Sequence, residues 1–92
     1  MTPDIEARIV ADFQEADREE GRAILRLLED ELGGIVPPRI LRCVLFLSAG
    51  DMARLVDFAD RALNDWRDVI YWAEYDERDH RLRDFNQPFP GS

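Results

Sequence analysis

The most constraining feature of this sequence is a nearly uncharged apolar segment in the middle of a strongly acidic chain. The two ends hold all twenty acidic residues, whereas residues 35–50 contain only two arginines. A helix from Pro37-Pro38 to about Ser48 would be apolar on almost every side, and such a helix is buried. Its apolar residues are Ile40, Leu41, Cys43, Val44, Leu45, Phe46 and Leu47. The sequence therefore predicts a central helix that the acidic ends cover.

Two helices are predicted before this central one. Thr2 is a suitable N-cap for the first, and Pro3 suits the first helical position because its missing N–H has no partner there in any case. One apolar stripe then follows at helical spacing, formed by Ile5, Ile9, Phe13 and Ala16. Asp17 with Glu20 has the pattern of a capping box, which predicts a second helix starting there. A single unbroken helix through residue 32 remains the alternative.

The second helix is predicted to end at Gly33-Gly34, because glycine readily adopts the left-handed conformation of a helix C-terminus. Its predicted inward residues are Ile24, Leu25, Leu27, Leu28 and Leu32. After the central helix, Gly50 and the N-cap Asp51 predict a fourth helix with a clear apolar side. The predicted inward residues of that helix are Met52, Leu55, Val56, Ala59, Ala62 and Leu63.

A fifth helix is predicted from Trp66 to about Glu77, with Asp65 and Asp68 at its start. Pro88 and Pro90 prevent a further helix. The expected fold is all-α: a compact bundle or short α-solenoid-like array of about five helices with an irregular C-terminal tail. We predict a helical domain over residues 1–78 and a tail over 79–92 that packs back on the last helix.

Composition excludes several classes of function. A formal charge of −8 opposes binding to nucleic acid or to an anionic membrane, because both depend on neutralising phosphates with cations. No apolar run approaches the roughly 20 residues of a membrane span. The N-terminus lacks the features of a secretory signal, and a single cysteine cannot form an internal disulfide. A cytoplasmic location is therefore expected.

The fifth helix has aromatic residues around most of its circumference. Trp66, Val69, Ile70 and Ala73 form the expected core stripe, whereas Tyr71 and Tyr75 fall on the opposite side with Trp72 between. In one interpretation the tail folds back and its phenylalanines cover the two tyrosines. In the other, the aromatic residues bind a partner, since Trp and Tyr dominate binding hot spots. The candidate partner-binding residues are Tyr71, Trp72, Tyr75, Asp68, Glu74, Phe85 and Phe89.

Two stretches of this region resemble known sequences. The run from Asp65 to Asp76, DWRDVIYWAEYD, and the later run from Arg83 to Phe89, RDFNQPF, are similar to the C-terminal half of small uncharacterised bacterial helical proteins of unknown function. The resemblance covers about half of the chain. It implies a natural bacterial domain and no particular activity.

Candidate chemical sites are weak. Glu77 and His80 have the i, i+3 spacing of di-iron bundle ligands, but such centres need a second such motif and two more glutamates. Cys43 lies in the most apolar segment, where burial raises a thiol pKa and lowers its reactivity. We therefore predict no catalytic residue, no metal and no cofactor.

The leading hypothesis is a non-enzymatic protein-interaction or adaptor domain that binds through the aromatic and acidic face of the last helix. Its partner would be another protein, favoured to be basic, or a second copy of this chain in a homodimer. The alternative is an acidic inhibitor or nucleic-acid mimic that engages a basic protein. A small enzyme is the least favoured hypothesis.

Overall fold

A computed structural model describes residues 1–33 and 38–90 of the chain. These residues form four helices: α1 (Pro3–Asp12), α2 (Glu15–Glu31), α3 (Pro38–Ser48) and α4 (Met52–Glu74). They contain no β-strand, which confirms the predicted all-α class. The predicted number of five helices is wrong, because the predicted fourth and fifth helices are joined in α4. The predicted roles of Gly34 and Pro37, and residues 91–92 of the predicted tail, lie outside the described residues.

Helix α3 is the buried centre of the molecule, as its apolar composition predicts. Every residue from Ile40 to Leu45 is buried, including Arg42, while Phe46 and Leu47 are half-buried. α3 packs against α4 and α1, and α2 packs against α4 and α1. The radius of gyration is 12.2 Å, against about 12 Å for a compact domain of this length. The array is therefore a compact bundle.

α2 starts three residues earlier than the capping pattern indicates, with Gln14 rather than Asp17 at the N-cap position. Phe13 and Gln14 have extended backbone angles, α2 begins at Glu15, and Ala16 is exposed. Arg18 donates hydrogen bonds to the carbonyls of Phe13 and Val10, at 3.2 and 3.0 Å. These contacts satisfy carbonyl groups that the end of α1 leaves without helical partners. The Arg18 side chain, rather than an Asp17 cap, therefore bridges this break.

The turn between α3 and α4 agrees with the prediction. Gly50 has a φ of 80°, and a Cβ atom there would lie 2.5 Å from the backbone oxygen of Asp12. Asp51 caps α4, its side chain accepting a hydrogen bond from the Arg54 N–H at 3.1 Å. Glycine is needed both for its backbone angle and for the close approach of α1.

Helix α4 changes direction where a new helix was predicted to start. Asp65 has non-helical angles, φ −156° and ψ 98°, and its carboxylate accepts a hydrogen bond from the Arg67 N–H at 3.1 Å. The capping signal is therefore real, but it produces a kink inside one helix. α4 then ends at Glu74 rather than at about Glu77.

Several aliphatic residues predicted to face inward are exposed. Leu27 of α2 is 58% exposed, and Val56 and Leu63 of α4 are 51% and 41% exposed. The prediction was wrong for these three because it assumed a wide buried face on both helices. The buried stripe is narrower, and it leaves one edge of the α2–α4 contact open to solvent.

The C-terminal segment, residues 75–90, contains no helix and folds back over α1, α3 and the end of α4. It starts with an isolated antiparallel bridge between Tyr75 and Arg81. Phe85 and Phe89 are buried, at 7% and 4% exposure. Within the described part of the chain, no helix is both long enough and apolar enough to cross a membrane.

Candidate interaction face

The kink at Asp65 sets which residues of the second half of α4 face solvent. Beyond it, Val69 and Ala73 are fully buried, which fixes the inner side of the helix. On the other side, Asp68 and the residues three, four and seven positions after it form one stripe. We call this stripe the aromatic face; it consists of Asp68, Tyr71, Trp72 and Tyr75. Asp68 is exposed, Tyr71 and Trp72 are 45% and 42% exposed, and Tyr75 is half-buried.

The aromatic rings of this face are held by their own neighbours. Tyr71 stacks on Tyr75 with ring centroids 5.4 Å apart and an interplanar angle of 14°. The Tyr71 hydroxyl donates a hydrogen bond to a carboxylate oxygen of Asp79. Trp72 packs edge-on against Phe58 with ring centroids 6.3 Å apart, and the Cζ atom of Arg61 lies 5.6 Å from the Trp72 ring centroid. The rings are thus both exposed and positioned before any partner arrives.

The acidic residues near this face have two different roles. Asp76 accepts hydrogen bonds from the backbone N–H groups of Arg78 and His80, at 2.8 and 2.9 Å, so it organises the turn after α4. Asp68 and Glu77 are exposed. The negative charge available to a partner therefore comes from these two residues and from Asp79, which is also exposed and accepts a hydrogen bond from the Tyr71 hydroxyl.

Glu74 was predicted to belong to the partner-binding face, and this is wrong, because its side chain is completely buried. Its two carboxylate oxygens accept hydrogen bonds from Arg39, at 2.8 and 2.7 Å, and one also accepts from Arg81 at 3.1 Å. The other oxygen accepts from the Phe85 N–H at 3.2 Å. Burial acts to raise the pKa of Glu74, but these hydrogen bonds and the two arginine charges outweigh it and lower that pKa. Glu74 holds the C-terminal segment on α4.

Asp4 is a second buried carboxylate, and sequence reasoning missed its role. It accepts two hydrogen bonds from the Arg42 guanidinium, at 2.7 and 3.1 Å, and one from the Phe89 N–H at 3.2 Å. Arg42 also donates to the backbone oxygen of Phe85 at 3.0 Å. The Arg42 hydrogen bonds hold the pKa of Asp4 far below its usual range. The only available signal was the presence of two arginines, Arg39 and Arg42, in a helix that is otherwise almost entirely apolar.

Phe85 and Phe89 were also predicted to belong to the binding face or to cover the tyrosines, and both predictions are wrong. Phe85 packs on Phe46 of α3, with ring centroids 5.3 Å apart, and Phe89 contacts Phe85 edge-on at 5.7 Å. The two rings therefore cover α3, and the tyrosines remain accessible.

The residues considered as a nucleophile or as metal ligands lie where those roles are disfavoured. Burial, and after it the charge of Glu74, raises the pKa of the Cys43 thiol to about 12, so almost no thiolate forms at neutral pH. Glu77 and His80 lie beyond the end of α4, so the helical spacing on which their candidate motif depends is not realised. No group of three potential metal ligands occurs among residues 1–33 and 38–90.

A cavity of about 360 Å³ lies beside the C-terminal segment, but protein atoms already engage its charged groups. Arg8, on one wall, pairs with Asp12 at 2.6 Å and lies 4.6 Å from the Phe89 ring centroid. Arg83 donates to the Ala73 carbonyl at 3.1 Å and lies 4.4 Å from the Phe46 ring centroid. Both arginines stabilise the phenylalanine packing.

Comparisons with family models, curated proteins and solved structures found no match to this chain.

Proposed function

We propose that this protein is a non-enzymatic interaction domain that binds a basic segment of another protein through the aromatic face. The observation that carries this proposal is the stripe at i, i+3, i+4 and i+7: Asp68, Tyr71 and Trp72 of α4 lie opposite its buried side, and Tyr75 continues the stripe at the C-cap. An amphipathic helix normally places polar residues on that side. Contact with a binding partner would account for exposed aromatic residues at these positions.

Two physical properties support the choice of this face. Contacts with Tyr75, Phe58 and Arg61 already order the Tyr71 and Trp72 side chains. These side chains would therefore lose little further conformational entropy when a partner binds. Large aromatic side chains of this kind contribute most of the binding free energy in many interfaces.

The charge around the face supports a basic partner. Asp68 and Glu77 are exposed beside the tyrosines. An arginine of the partner could pair with these carboxylates and stack on a tyrosine ring, a contact worth about 0.5–1 kcal/mol at an exposed site. An acidic partner would meet repulsion from the chain's charge of −8.

Affinity capture from the native host tests the proposal with a matched pair of variants. Trp72→Ala removes the central ring of the face, whereas Trp66→Ala removes a tryptophan of nearly equal exposure, 43% against 42%, outside the stripe. We expect Trp72→Ala to lose the captured protein and Trp66→Ala to keep it, with both variants folded by circular dichroism. Equal recovery with both variants would refute the aromatic face as the binding site.

A salt titration of the captured complex separates this function from the acidic-inhibitor alternative. Docking of aromatic side chains should tolerate salt, whereas binding through charge alone should weaken steeply as ionic strength rises. Sedimentation of the purified chain tests the homodimer through the same face. A dimer that Trp72→Ala dissociates would show that the partner is a second copy.

A further inference from the structure

The α2–α4 edge forms a second surface that the aromatic face does not include. A groove of about 210 Å³ runs between the two helices, and apart from Asp60 its lining is apolar. We call it the apolar groove; its apolar residues are Ile24, Leu27, Leu28, Val56, Ala59 and Leu63. Leu27, Val56 and Leu63 are among the most exposed aliphatic residues of the described chain. Adjacent exposed aliphatic residues of this kind mark an interaction site more often than isolated ones do.

The apolar groove and the aromatic face lie on different sides of α4. Val56 and Leu63 are seven residues apart and therefore share one side of the helix. Arg61, which lies beside the Trp72 ring, is two residues from Leu63 and so points about 200° away from it. A partner in the groove would leave the aromatic face accessible.

The charged residue that lines the groove and two that share its side of α2 are acidic. Helical spacing places Glu20 and Glu31 on the same side of α2 as Leu27, seven residues before it and four after it. Asp60 lines the α4 wall. All three carboxylates are exposed, and none of them forms an ion pair with any residue in the two described stretches.

The arginines of α2 point away from this rim. Arg22 pairs with Glu6 of α1 at 2.7 Å, and Arg18 donates to carbonyls at the end of α1. Arg26 follows Arg22 by four residues and so lies on the same side as Arg22. The groove thus combines an apolar floor with a rim that favours positive charge.

We propose that the apolar groove binds an amphipathic helix of another protein, with aliphatic residues on one face and arginine or lysine beside them. The aliphatic residues would cover Leu27, Val56 and Leu63, and the cations would pair with Glu20, Glu31 and Asp60. Helices bind hydrophobic grooves in this way through anchors at i, i+3, i+4 and i+7. A second copy of this chain fits less well, because a symmetric dimer would bring two identical acidic rims together.

A synthetic helical peptide with leucines at i, i+3, i+4 and i+7 and arginines beside them is the probe. Amide chemical shifts of the full chain would be followed by NMR as the peptide is added, up to about 1 mM. We expect shifts confined to the groove residues of α2 and α4. Replacing the peptide's arginines with glutamates should weaken binding at least roughly tenfold. Equal binding of both peptides, or no shifts at the groove, would overturn the proposal.

Two protein variants make the test specific. Leu27→Glu should weaken binding of the arginine peptide at least roughly tenfold, whereas Leu82→Glu should leave it unchanged. Leu82 is a close control, because it is 57% exposed against 58% for Leu27 and lies in the C-terminal segment. The double variant Glu20→Arg with Glu31→Arg keeps the apolar floor and should reverse the preference toward the glutamate peptide. An unchanged preference in that variant would contradict the charge argument.

Sedimentation of the chain without peptide tests the competing occupant. We expect a monomer. A dimer that Leu27→Glu dissociates and Leu82→Glu does not would overturn the proposal, since the groove would then be filled by a second copy. Neither variant alters the aromatic face, so failure here is distinguishable from failure of the proposed function.

Discussion

The C-terminal segment and the α2–α4 edge differ in how regular secondary structure relates to burial. Residues 75–90 contain no helix, yet Phe85 and Phe89 are nearly as buried as the core of α3. α2 and the part of α4 before its kink are regular helices, yet Leu27 and Val56 are more than half exposed. Helical periodicity shows which residues share a side, but only the neighbouring elements determine whether that side is covered.

Polar contacts account for the difference. Glu74 and Asp4 are buried carboxylates that accept hydrogen bonds from the backbone N–H groups of Phe85 and Phe89, respectively. Each also pairs with one arginine of α3, Glu74 with Arg39 and Asp4 with Arg42. Hydrogen bonds to buried charged groups are stronger than those between neutral groups, so they can hold a segment that lacks helical hydrogen bonds of its own. At the α2–α4 edge, no residue of the described chain covers the exposed aliphatic side chains in a similar way.

The largest expected effect is on the polar contacts of the C-terminal segment. Asp4→Ala leaves Arg42 buried without its partner, and we expect a loss of about 3–5 kcal/mol in the free energy of unfolding. Urea denaturation would measure it. Asp57→Ala is the control, since it removes a carboxylate from the exposed pair with Arg61 and should change stability little. Similar losses in both variants would show that the buried contact is not what fixes this segment.

A smaller effect is expected at the turn that brings α1 close to α4. Gly50→Ala adds a Cβ against the Asp12 carbonyl and strains a residue with φ of 80°, so we expect a loss of about 1–3 kcal/mol. Gly33→Ala is the control, because Gly33 also has a positive φ, 86°, but a Cβ there meets nothing within 4 Å. Thermal unfolding of both variants separates backbone strain from steric contact. A larger loss in Gly33→Ala would contradict the role of the close approach.

Acid should loosen the C-terminal segment before the α2–α4 edge. The pKa values of Asp4 and Glu74 are lower in the folded chain than their ordinary values of 3.8 and 4.5. The stability that they contribute is therefore fully present above those ordinary values and is lost as pH falls below them. As pH falls below 4.5 and then below 3.8, the backbone amides of Phe85 and Phe89 should lose protection from hydrogen exchange at a higher pH than the amides of α2 do. Protection that remains unchanged there would show that the two carboxylates do not control this segment.

The smallest effect is expected at the exposed edge. Leu27→Ala should change the free energy of unfolding by no more than about 0.5 kcal/mol, because the side chain is 58% exposed. Leu25→Ala, in the same helix at 0% exposure, should cost about 2–5 kcal/mol. Urea denaturation of both variants measures the difference. Equal losses would mean that the groove residues belong to the core after all.

Sequence reasoning identified the local signals better than their consequences. The Gly50-Asp51 turn and the burial of α3 follow directly from residue type, and both are observed. The signal at Asp65 was also real, but α4 continues through it as a kink. Whether a cap separates two helices or bends one depends on what both halves pack against, and that information is not local.

The candidate binding residues also divide into those that local helical spacing places correctly and those whose position depends on distant residues. Periodicity correctly placed Tyr71, Trp72 and Asp68 on the side away from the core, but it also placed Trp66 in the core stripe, and Trp66 is 43% exposed. Glu74, on the same helix, is predicted to belong to the binding face because it neighbours these aromatic residues in the sequence, yet it is buried. Its partners, Arg39 and Arg81, are 35 and 7 residues away in the chain, and no local pattern pairs them with it.

By itself, the sequence determined the all-α class, the buried central helix, the glycine turn and the stripe of aromatic residues on the last helix. These depend on the conformational preferences and polarity of residues close together in the chain. Only the tertiary structure decided that Asp4 and Glu74 are buried, that Phe85 and Phe89 cover α3, and that Leu27, Val56 and Leu63 border an open groove. Burial depends on which distant elements approach each other, and charged residues enter a core only where the fold supplies their partners.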